Sequence, residues 1–261
     1  MSTAPRAWLR ENGGWKPGAV LPVTDRAVRY GMAVFETIGI RQGQPLLLEE
    51  HLILLEESAR ALLALTDTPD FSLPGLRIED TGILRLYITA GDGAAAAPVT
   101  SPRVFALFEA HDPGELPAEQ TARLHPEPVA PFAHGRKTAN YWMNCAAQAA
   151  AQAAGFDHAL LADHHGHLLS AAFGNVFFVI DGELFTPPLS LAVRPGVLRA
   201  RIMRRHAVRE RELAAARLDG ATELFLTNSR LGVMPLHCGT IAPGPVGRSL
   251  REEILREKIV P

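Results

Sequence analysis

The 261-residue sequence is poor in cysteine, in net charge and in long hydrophobic runs. Its two cysteines, Cys145 and Cys238, cannot form a disulfide framework, so we expect reduced thiols. A net charge of −2 at pH 7 offers no electrostatic basis for binding nucleic acid or an anionic membrane. No run reaches the ~20 apolar residues of a membrane span, and the N-terminal residues lack the apolar segment of a secretory signal. These absences favour a soluble cytoplasmic protein.

Lysine is also rare, since Lys16, Lys137 and Lys258 are the three lysines among 26 basic residues and the other 23 are arginines. An amine can form a Schiff base with an aldehyde, whereas a guanidinium cannot. The sequence predicts that Lys137 lies at the start of a helix, where the helix dipole disfavours a cation. Position alone leaves two interpretations open, an ordinary surface lysine and a reactive amine at a cleft.

Strand-like and helix-like segments alternate in both halves, which predicts a mixed α/β (α+β) fold. Apolar runs on either side of residues 42–44 and of Asp181-Gly182 predict two hairpins. Apolar residues at helical spacing predict four helices, which read "LEEHLILLEESARALLAL", "ANYWMNCAAQAAAQAAGF", "GVLRARIMRRHA" and "GRSLREEILREKI".

The segment "HDPGELPAEQ" contains proline, glycine and several charges, as linkers commonly do. We therefore expect an N-terminal α/β subdomain over 1–110, a linker over 111–120 and a C-terminal subdomain over 121–261.

Three other segments could carry chemistry. The turn "DHHGH" contains three histidines, but alternating side-chain directions on a hairpin favour a solvated turn over a metal site. Cys145 lies in an apolar helical segment, which favours a core residue over a nucleophile. In "RPGVLRAR", Gly196 precedes a helix whose free backbone N–H groups could hold a phosphate, and an ordinary loop-to-helix junction fits equally well.

Six blocks of the sequence, in order, resemble the class IV aminotransferase family, the fold-type IV enzymes that use pyridoxal 5′-phosphate (PLP). The resemblance extends from about Leu21 to Pro235. Within the family, "FET" and "FLTNSRLGVMPL" are most similar to the aminodeoxychorismate lyases. The six blocks read "DRAVRYGMAVFETI", "LEEHLILLEESARAL", "KTANYWMN", "GFDHALLADHHGHLLSAAFGNVFFVIDGELFTPP", "RPGVLRARI" and "ELFLTNSRLGVMPL".

The resemblance implies a role for each matching residue. Lys137 would bind PLP covalently, and Thr37 would act beside the substrate. Tyr30, Phe35 and Arg230 would contact the substrate, and no metal is implied. The further residues implied to contact the cofactor are Ser170, Gly196, Val197, Leu198, Thr227, Asn228 and Ser229.

The sequence departs from the family pattern at several of these positions. Leu54 stands where an H-x-x-R motif places an arginine on the cofactor phosphate, and losing that contact would weaken phosphate binding about 10- to 100-fold. Ser170 stands where a glutamate pairs with the pyridine nitrogen. Leu198 replaces a common threonine, and Met32 and Ala33 interrupt a Tyr-Gly-Asp-Gly motif. Arg194, Arg199 and Arg230 are candidates to replace the missing guanidinium.

The resemblance and its departures leave three functions open. The first is a PLP-dependent lyase that converts 4-amino-4-deoxychorismate to 4-aminobenzoate and pyruvate, as in folate biosynthesis. The serine at 170 favours this elimination, because a hydroxyl leaves the pyridine nitrogen neutral and weakens the ring as an electron sink. The second is an aminotransferase for a small branched-chain or D-amino acid. The third is a homologue that has lost the cofactor and has a binding or structural role. The resemblance also implies a homodimer.

Overall fold

The computed structural model describes residues 5–111, 114, 116–131 and 133–261. They form two compact units, in which strands and helices are mixed as the sequence predicted. The predicted linker over 111–120 includes positions outside the described residues, and the predicted subdomain bounds stay a prediction. The first unit comprises Met1–Gly114, Arg136–Asn140 and Val260–Pro261, and the second comprises Glu115–Gly135 and Tyr141–Ile259.

The first unit is built on a six-stranded antiparallel sheet with the strand order β2-β1-β6-β5-β3-β4. Two helices accompany it, α1 (Arg26–Tyr30) and α2 (Leu48–Leu63). The strands are β1 (Arg6–Glu11), β2 (Gly14–Pro17), β3 (Ala33–Arg41), β4 (Gln44–Pro45), β5 (Gly82–Thr89) and β6 (Arg103–Ala110).

Helix α2 covers one face of this sheet because its apolar residues recur every fourth position. Leu55, Ala59 and Leu63 are buried in one cluster with the even-numbered residues of β3. Burying a leucine of this kind contributes about 1.5–3 kcal/mol. On the same face, Nδ1 of His51 lies 2.9 Å from Oε2 of Glu36, and both side chains are buried. The odd-numbered residues of β3 therefore point to the opposite face of the sheet.

The second unit contains an eight-stranded mixed sheet with the order β12-β11-β10-β13-β14-β7-β8-β9. Its helices are α3 (Trp142–Ala153), α4 (Val197–Arg205) and α5 (Pro245–Arg256). No helix in the described part of the chain is long and apolar enough to cross a bilayer. The strands are β7 (Gln120–Leu124), β8 (His158–Ala162), β9 (Leu168–Ala171), β10 (Asn175–Ile180), β11 (Glu183–Thr186), β12 (Val208–Glu210), β13 (Glu223–Asn228) and β14 (Gly232–His237).

Both predicted hairpins are present. The turn between β3 and β4 has positive φ at Gln42 and Gly43, and the turn between β10 and β11 has positive φ at Asp181 and Gly182. Positive φ at both central residues matches the twist of antiparallel strands, which is why such dipeptides predict hairpins.

Two predictions about the middle of the chain are wrong. Helix α3 begins at Trp142, five residues after Lys137, so the lysine does not lie at a helix start. Cys145 is exposed on α3 rather than in the core. The cause is the same for both, because an alanine-rich segment has no strong apolar stripe to fix its start or its buried face.

Candidate functional site

Lys137 lies in an extended segment that pairs with the N-terminal half of β3, on the same edge that pairs with β4 at its other end. The backbone N–H of Phe35 donates to the carbonyl of Lys137 over 3.0 Å, and the N–H of Ala139 donates to the carbonyl of Ala33 over 2.9 Å. An antiparallel bridge joins Val34 to Thr138. The segment Arg136–Asn140, which we call the lysine strand, therefore extends the sheet of the first unit on the side of β3 away from β5.

The Lys137 amine stands at the end of a row of stacked aromatic rings. Its Nζ lies 4.4 Å from the ring centroid of Phe35. The Phe35 ring stacks on Tyr87 with centroids 4.8 Å apart, and Tyr87 stacks on Phe105 at 4.4 Å. Aromatic pairs of this kind contribute about 0.5–1.5 kcal/mol beyond the area they bury. Strand register explains the row, because Phe35 faces Tyr87 and Tyr87 faces Phe105 across neighbouring strands.

The lysine strand is also held at both ends. Nη1 of Arg136 lies 3.0 Å from Oε2 of Glu57 on α2. Nδ2 of Asn140 donates to the carbonyl of Gly31 over 3.2 Å. Gly31 ends α1 with a φ of 68°, and a Cβ at this position would collide with the Asn140 side chain. Backbone and side-chain contacts together fix the position of this strand on the first unit.

Two other predicted site residues of the first unit lie at different places. Thr37 is half-buried on the same face of β3 as Phe35 and pairs with Arg85 of β5. Tyr30 is 42% exposed on α1, where Arg29 Nη2 donates to its hydroxyl over 2.7 Å. Leu54 is half-buried on α2, and its carbonyl accepts a hydrogen bond from the Ser58 hydroxyl over 2.7 Å.

In the second unit, α4 begins without a capping side chain. Gly196 is its N-cap residue, and glycine has no side chain that could accept a hydrogen bond from the helix. The first N–H groups of a helix, here those of Val197 and Leu198, have no acceptor within the helix. A Cβ at Gly196 would collide with Oδ1 of Asn175, whose Nδ2 donates to the carbonyl of Arg194 over 2.8 Å. Glycine at this position keeps the start of α4 close to the β10 strand.

Thr227 contributes a second unused polar group beside this helix start. It is 2% exposed, and its Oγ1 has no hydrogen-bond partner among the described residues. Thr227 pairs with Asn175 across β10 and β13, and Asn175 in turn contacts Gly196. A buried hydroxyl without a partner costs about 1–3 kcal/mol, which makes Thr227 a candidate donor to a bound group.

Helix α5, in the same unit, begins differently. The backbone N–H groups of Val246 and Gly247 donate to the two carboxylate oxygens of Glu223, at 3.2 and 2.9 Å. Glu223 is buried, so the protein supplies its own anion to the start of α5. The start of α4 has no such carboxylate in the part of the chain that the structure describes, which makes it the candidate anion site of this unit.

The residues after Thr227 form the turn of the β13–β14 hairpin. Oδ1 of Asn228 accepts from the backbone N–H groups of Arg230 and Leu231, and its Nδ2 donates to the carbonyl of Phe173 over 3.0 Å. The Asn228 side chain therefore holds the turn itself. Ser229 and Arg230 lie within this turn.

Three further candidates of the sequence analysis are in the second unit. Ser170 is half-buried on β9, where it pairs with Leu161 of β8. Leu198 is 3% exposed and belongs to the buried face of α4. Arg199 is also buried, and its guanidinium binds the Glu210 carboxylate at 2.5 Å and the Pro187 carbonyl at 3.1 Å. Nη2 of Arg199 is thus used in internal contacts, whereas its buried Nε has no hydrogen-bond partner among the described residues.

The histidine-rich turn and the second cysteine have structural explanations. Burial alone raises the pKa of Asp163, but hydrogen bonds from His167 and His165 outweigh it and lower that pKa overall. Asp163 thereby organises the turn, and no group of metal-ligating side chains occurs among the described residues. Burial raises the pKa of the Cys238 thiol, which makes it a poor nucleophile at neutral pH.

The sequence analysis did not identify Tyr87 or Phe105, because neither belongs to a motif. Strand β1 and strand β2 were also missed, although Asn12-Gly13 between two tryptophan-containing runs is a strong hairpin signal. The aromatic row depends instead on the pairing of β3, β5 and β6, which no tight turn joins.

Comparisons with known proteins agree with this architecture. The 4-amino-4-deoxychorismate lyase of Pseudomonas aeruginosa is 29% identical, with a TM-score of 0.79 over 96% of this chain and 98% of that one. An aminotransferase of Brucella abortus solved with PLP is 25% identical, with a TM-score of 0.82 over 97% and 99%. The Escherichia coli branched-chain amino acid aminotransferase shares the fold, with a TM-score of 0.83 over 97% and 94% at 23% identity.

The family comparison covers most of the chain. The profile described as "Amino-transferase class IV" matches residues 33–237, a range that includes β3, the lysine strand, α4 and the β13–β14 hairpin. The fold class and the enzyme class expected from the sequence are thereby confirmed. This chain belongs to the class IV aminotransferase family.

Proposed function

We propose that this protein is a PLP-dependent lyase that converts 4-amino-4-deoxychorismate to 4-aminobenzoate and pyruvate. The observation that carries the cofactor assignment is the buried hydroxyl of Thr227 beside the start of α4, where the described residues offer neither a partner for the hydroxyl nor a side-chain cap for the helix. Hydroxyl and backbone N–H donors at a helix start suit a phosphate, which the PLP-bound relative from Brucella abortus also accommodates. The residues present therefore fit the phosphate of PLP.

Lys137 is the residue that we assign to the cofactor aldehyde. It is one of three lysines in the chain, and the lysine strand holds it against β3. When bound, PLP supplies an electron-withdrawing ring that stabilises negative charge at the α-carbon of an amine substrate. The amine of Lys137 would take the proton from the α-carbon as a general base and return one as a general acid.

The remaining assignments follow the family resemblance and the local geometry. Gly196, Val197 and Leu198 offer backbone N–H groups to the phosphate, and Thr227 offers its hydroxyl. Ser170 donates a hydrogen bond where a glutamate would supply a charge, and this favours elimination over amino transfer. Further proposed contacts are Ser229 with the phosphate and Thr37, Tyr30, Phe35 and Arg230 with the substrate. Asn228 would act indirectly, by shaping the turn.

Two observations favour the lyase over the second candidate, an aminotransferase for a branched-chain or D-amino acid. Ser170 removes the carboxylate that such a reaction needs to stabilise a long-lived carbanion. The relative from Pseudomonas aeruginosa at 29% identity is a 4-amino-4-deoxychorismate lyase.

Leu54 favours the third candidate, a homologue that has lost the cofactor. We also propose a cytoplasmic homodimer, which light scattering during gel filtration would test.

A titration followed by two assays separates these candidates. Purified protein titrated with PLP is expected to develop visible absorbance, which Lys137→Arg abolishes. Pyruvate release from 4-amino-4-deoxychorismate is expected, with little amino transfer to branched-chain keto acids. The reverse ratio of the two activities would favour the aminotransferase. Absence of visible absorbance at saturating PLP would overturn both PLP functions.

A further inference from the structure

We propose that Phe35, supported by Tyr87 and Phe105, is a positioning residue that holds the amine of Lys137 when it is not bound to the cofactor. This inference rests on the proposed role of Lys137, but its structural part can be tested without the cofactor. The resemblance assigned Phe35 to the substrate. The geometry of the first unit also connects its ring to the lysine.

The backbone places Lys137 and Phe35 side by side. The N–H of Phe35 donates to the carbonyl of Lys137, so the separation of the two residues is set by a main-chain hydrogen bond of 3.0 Å. The bridge between Val34 and Thr138 fixes the antiparallel register. Side chains of directly paired residues point to the same face of a sheet, which brings the lysine and the ring together.

The two neighbours of Phe35 approach its ring from opposite sides. The lysine strand and β5 pair with opposite edges of β3, so Lys137 lies on one side of the ring and Tyr87 on the other. The planes of Phe35 and Tyr87 are inclined by 16°, and those of Tyr87 and Phe105 by 5°. Three nearly parallel rings restrict rotation of Phe35 and keep its π-face directed at the amine.

The chemistry of the contact explains why an aromatic residue suits this position. A ring face attracts an ammonium group through its quadrupole, and an aliphatic side chain of similar size does not. Such an attraction holds the flexible four-carbon side chain of Lys137 in one region between its covalent states. The attraction acts on Lys137 when it is not bound to the cofactor and is protonated, which is the state in which it gives a proton as a general acid.

The small number of lysines makes a direct test possible. Reductive methylation of the cofactor-free full chain with ¹³C-formaldehyde labels Lys16, Lys137, Lys258 and the terminal amine, and it preserves the lysine charge. Lys137→Arg assigns one signal. Ring currents should shift the Lys137 methyl signal upfield of the other two lysine signals.

Matched variants then separate the ring contact from general packing. Phe35→Leu keeps apolar bulk and should return the Lys137 signal to the range of Lys16 and Lys258. Tyr87→Leu should return it partly, whereas Tyr87→Phe keeps the stacked ring and should preserve the shift. Phe156→Leu, which removes a ring under Arg123 in the second unit, should leave the signal in place. An unshifted Lys137 signal in the wild type, or one unmoved by Phe35→Leu, would overturn the proposal.

A second readout connects the contact to the proposed function. Phe35→Leu should slow the covalent capture of PLP about two- to fivefold, the equivalent of about 0.5–1 kcal/mol of cation–π attraction. Competition by inorganic phosphate should stay the same, because the α4 start is intact. An equal loss of PLP capture and of phosphate competition would indicate a merely structural role for Phe35 and contradict the proposal. If the wild type captures no PLP, the proposed function fails, while the methyl signals still decide the contact.

Discussion

The lysine strand and the start of α4 differ in how far the protein satisfies its own polar groups. Around Lys137, the amine contacts Phe35, and the flanking residues Arg136 and Asn140 bind Glu57 and Gly31. Around α4, the first N–H groups have no cap and a buried hydroxyl has no partner among the described residues. The first region is organised by protein contacts, whereas the second has donors without a partner among the described residues, which the proposed phosphate would satisfy.

The difference follows from the chemistry that each region is proposed to perform. A lysine that transfers protons must be held in place when its amine is free, so its contacts belong to the protein. A phosphate site must desolvate a doubly charged group, and donors that are already aligned lower the cost of doing so. The capped start of α5 shows that this chain supplies a carboxylate where it needs no ligand.

The largest effect is expected at Gly196, because the backbone at the start of α4 lies close to the Asn175 side chain there. In Gly196→Ala the new methyl group would collide with Oδ1 of Asn175 and displace the helix start from Thr227. We expect PLP to bind about 10- to 100-fold more weakly in an absorbance titration, equal to about 1.4–2.8 kcal/mol. Gly220→Ala is the control, since a Cβ there meets no atom within 4 Å. Unchanged affinity in Gly196→Ala would exclude the α4 start as the phosphate site.

Two smaller effects of opposite sign are expected at Thr227, one on the stability of the protein and one on its affinity for phosphate. Thr227→Val removes an unpaired buried hydroxyl, so the cofactor-free protein should be as stable or more stable by up to about 1 kcal/mol. The same change should weaken inorganic phosphate binding about five- to tenfold. Urea unfolding and phosphate protection against unfolding measure the two effects.

The matched control for this substitution is Thr186→Val. The Thr186 hydroxyl is equally buried but donates to the carbonyl of Val176 over 2.8 Å. Its removal should destabilise the protein by about 1 kcal/mol and leave phosphate affinity unchanged. If both variants lose stability alike, Thr227 has a protein partner and the contrast between the two regions fails.

The smallest effect is expected at the end of the lysine strand. The Arg136–Glu57 pair is partly exposed, with 25% and 53% of the two side chains accessible, and such pairs contribute about 0–1 kcal/mol. Glu57→Gln should therefore change the urea midpoint slightly and leave the rate of PLP capture nearly unchanged. A tenfold slower capture would show that this ion pair, rather than the contacts with β3 and Phe35, positions Lys137.

Local signals made much of the fold predictable. The Asp181-Gly182 hairpin, helix α2 and the helix after Gly196 follow from residues adjacent in sequence. The position of Thr227 beside Asn175 and the row behind Phe35 follow from strand register, which joins residues far apart in the chain. Lys137 was selected by its rarity and by the family motif, but its place on the edge of β3 could not be derived from the helix pattern beside it.

The most direct test of the account is to map the PLP adduct after borohydride reduction. Peptide mass spectrometry should find one reduced adduct, on Lys137, and none on Lys16 or Lys258. Excess inorganic phosphate should reduce its yield in the wild type, and much less in Gly196→Ala. An adduct spread over all three lysines, or one on Lys137 that phosphate does not reduce, would contradict the account.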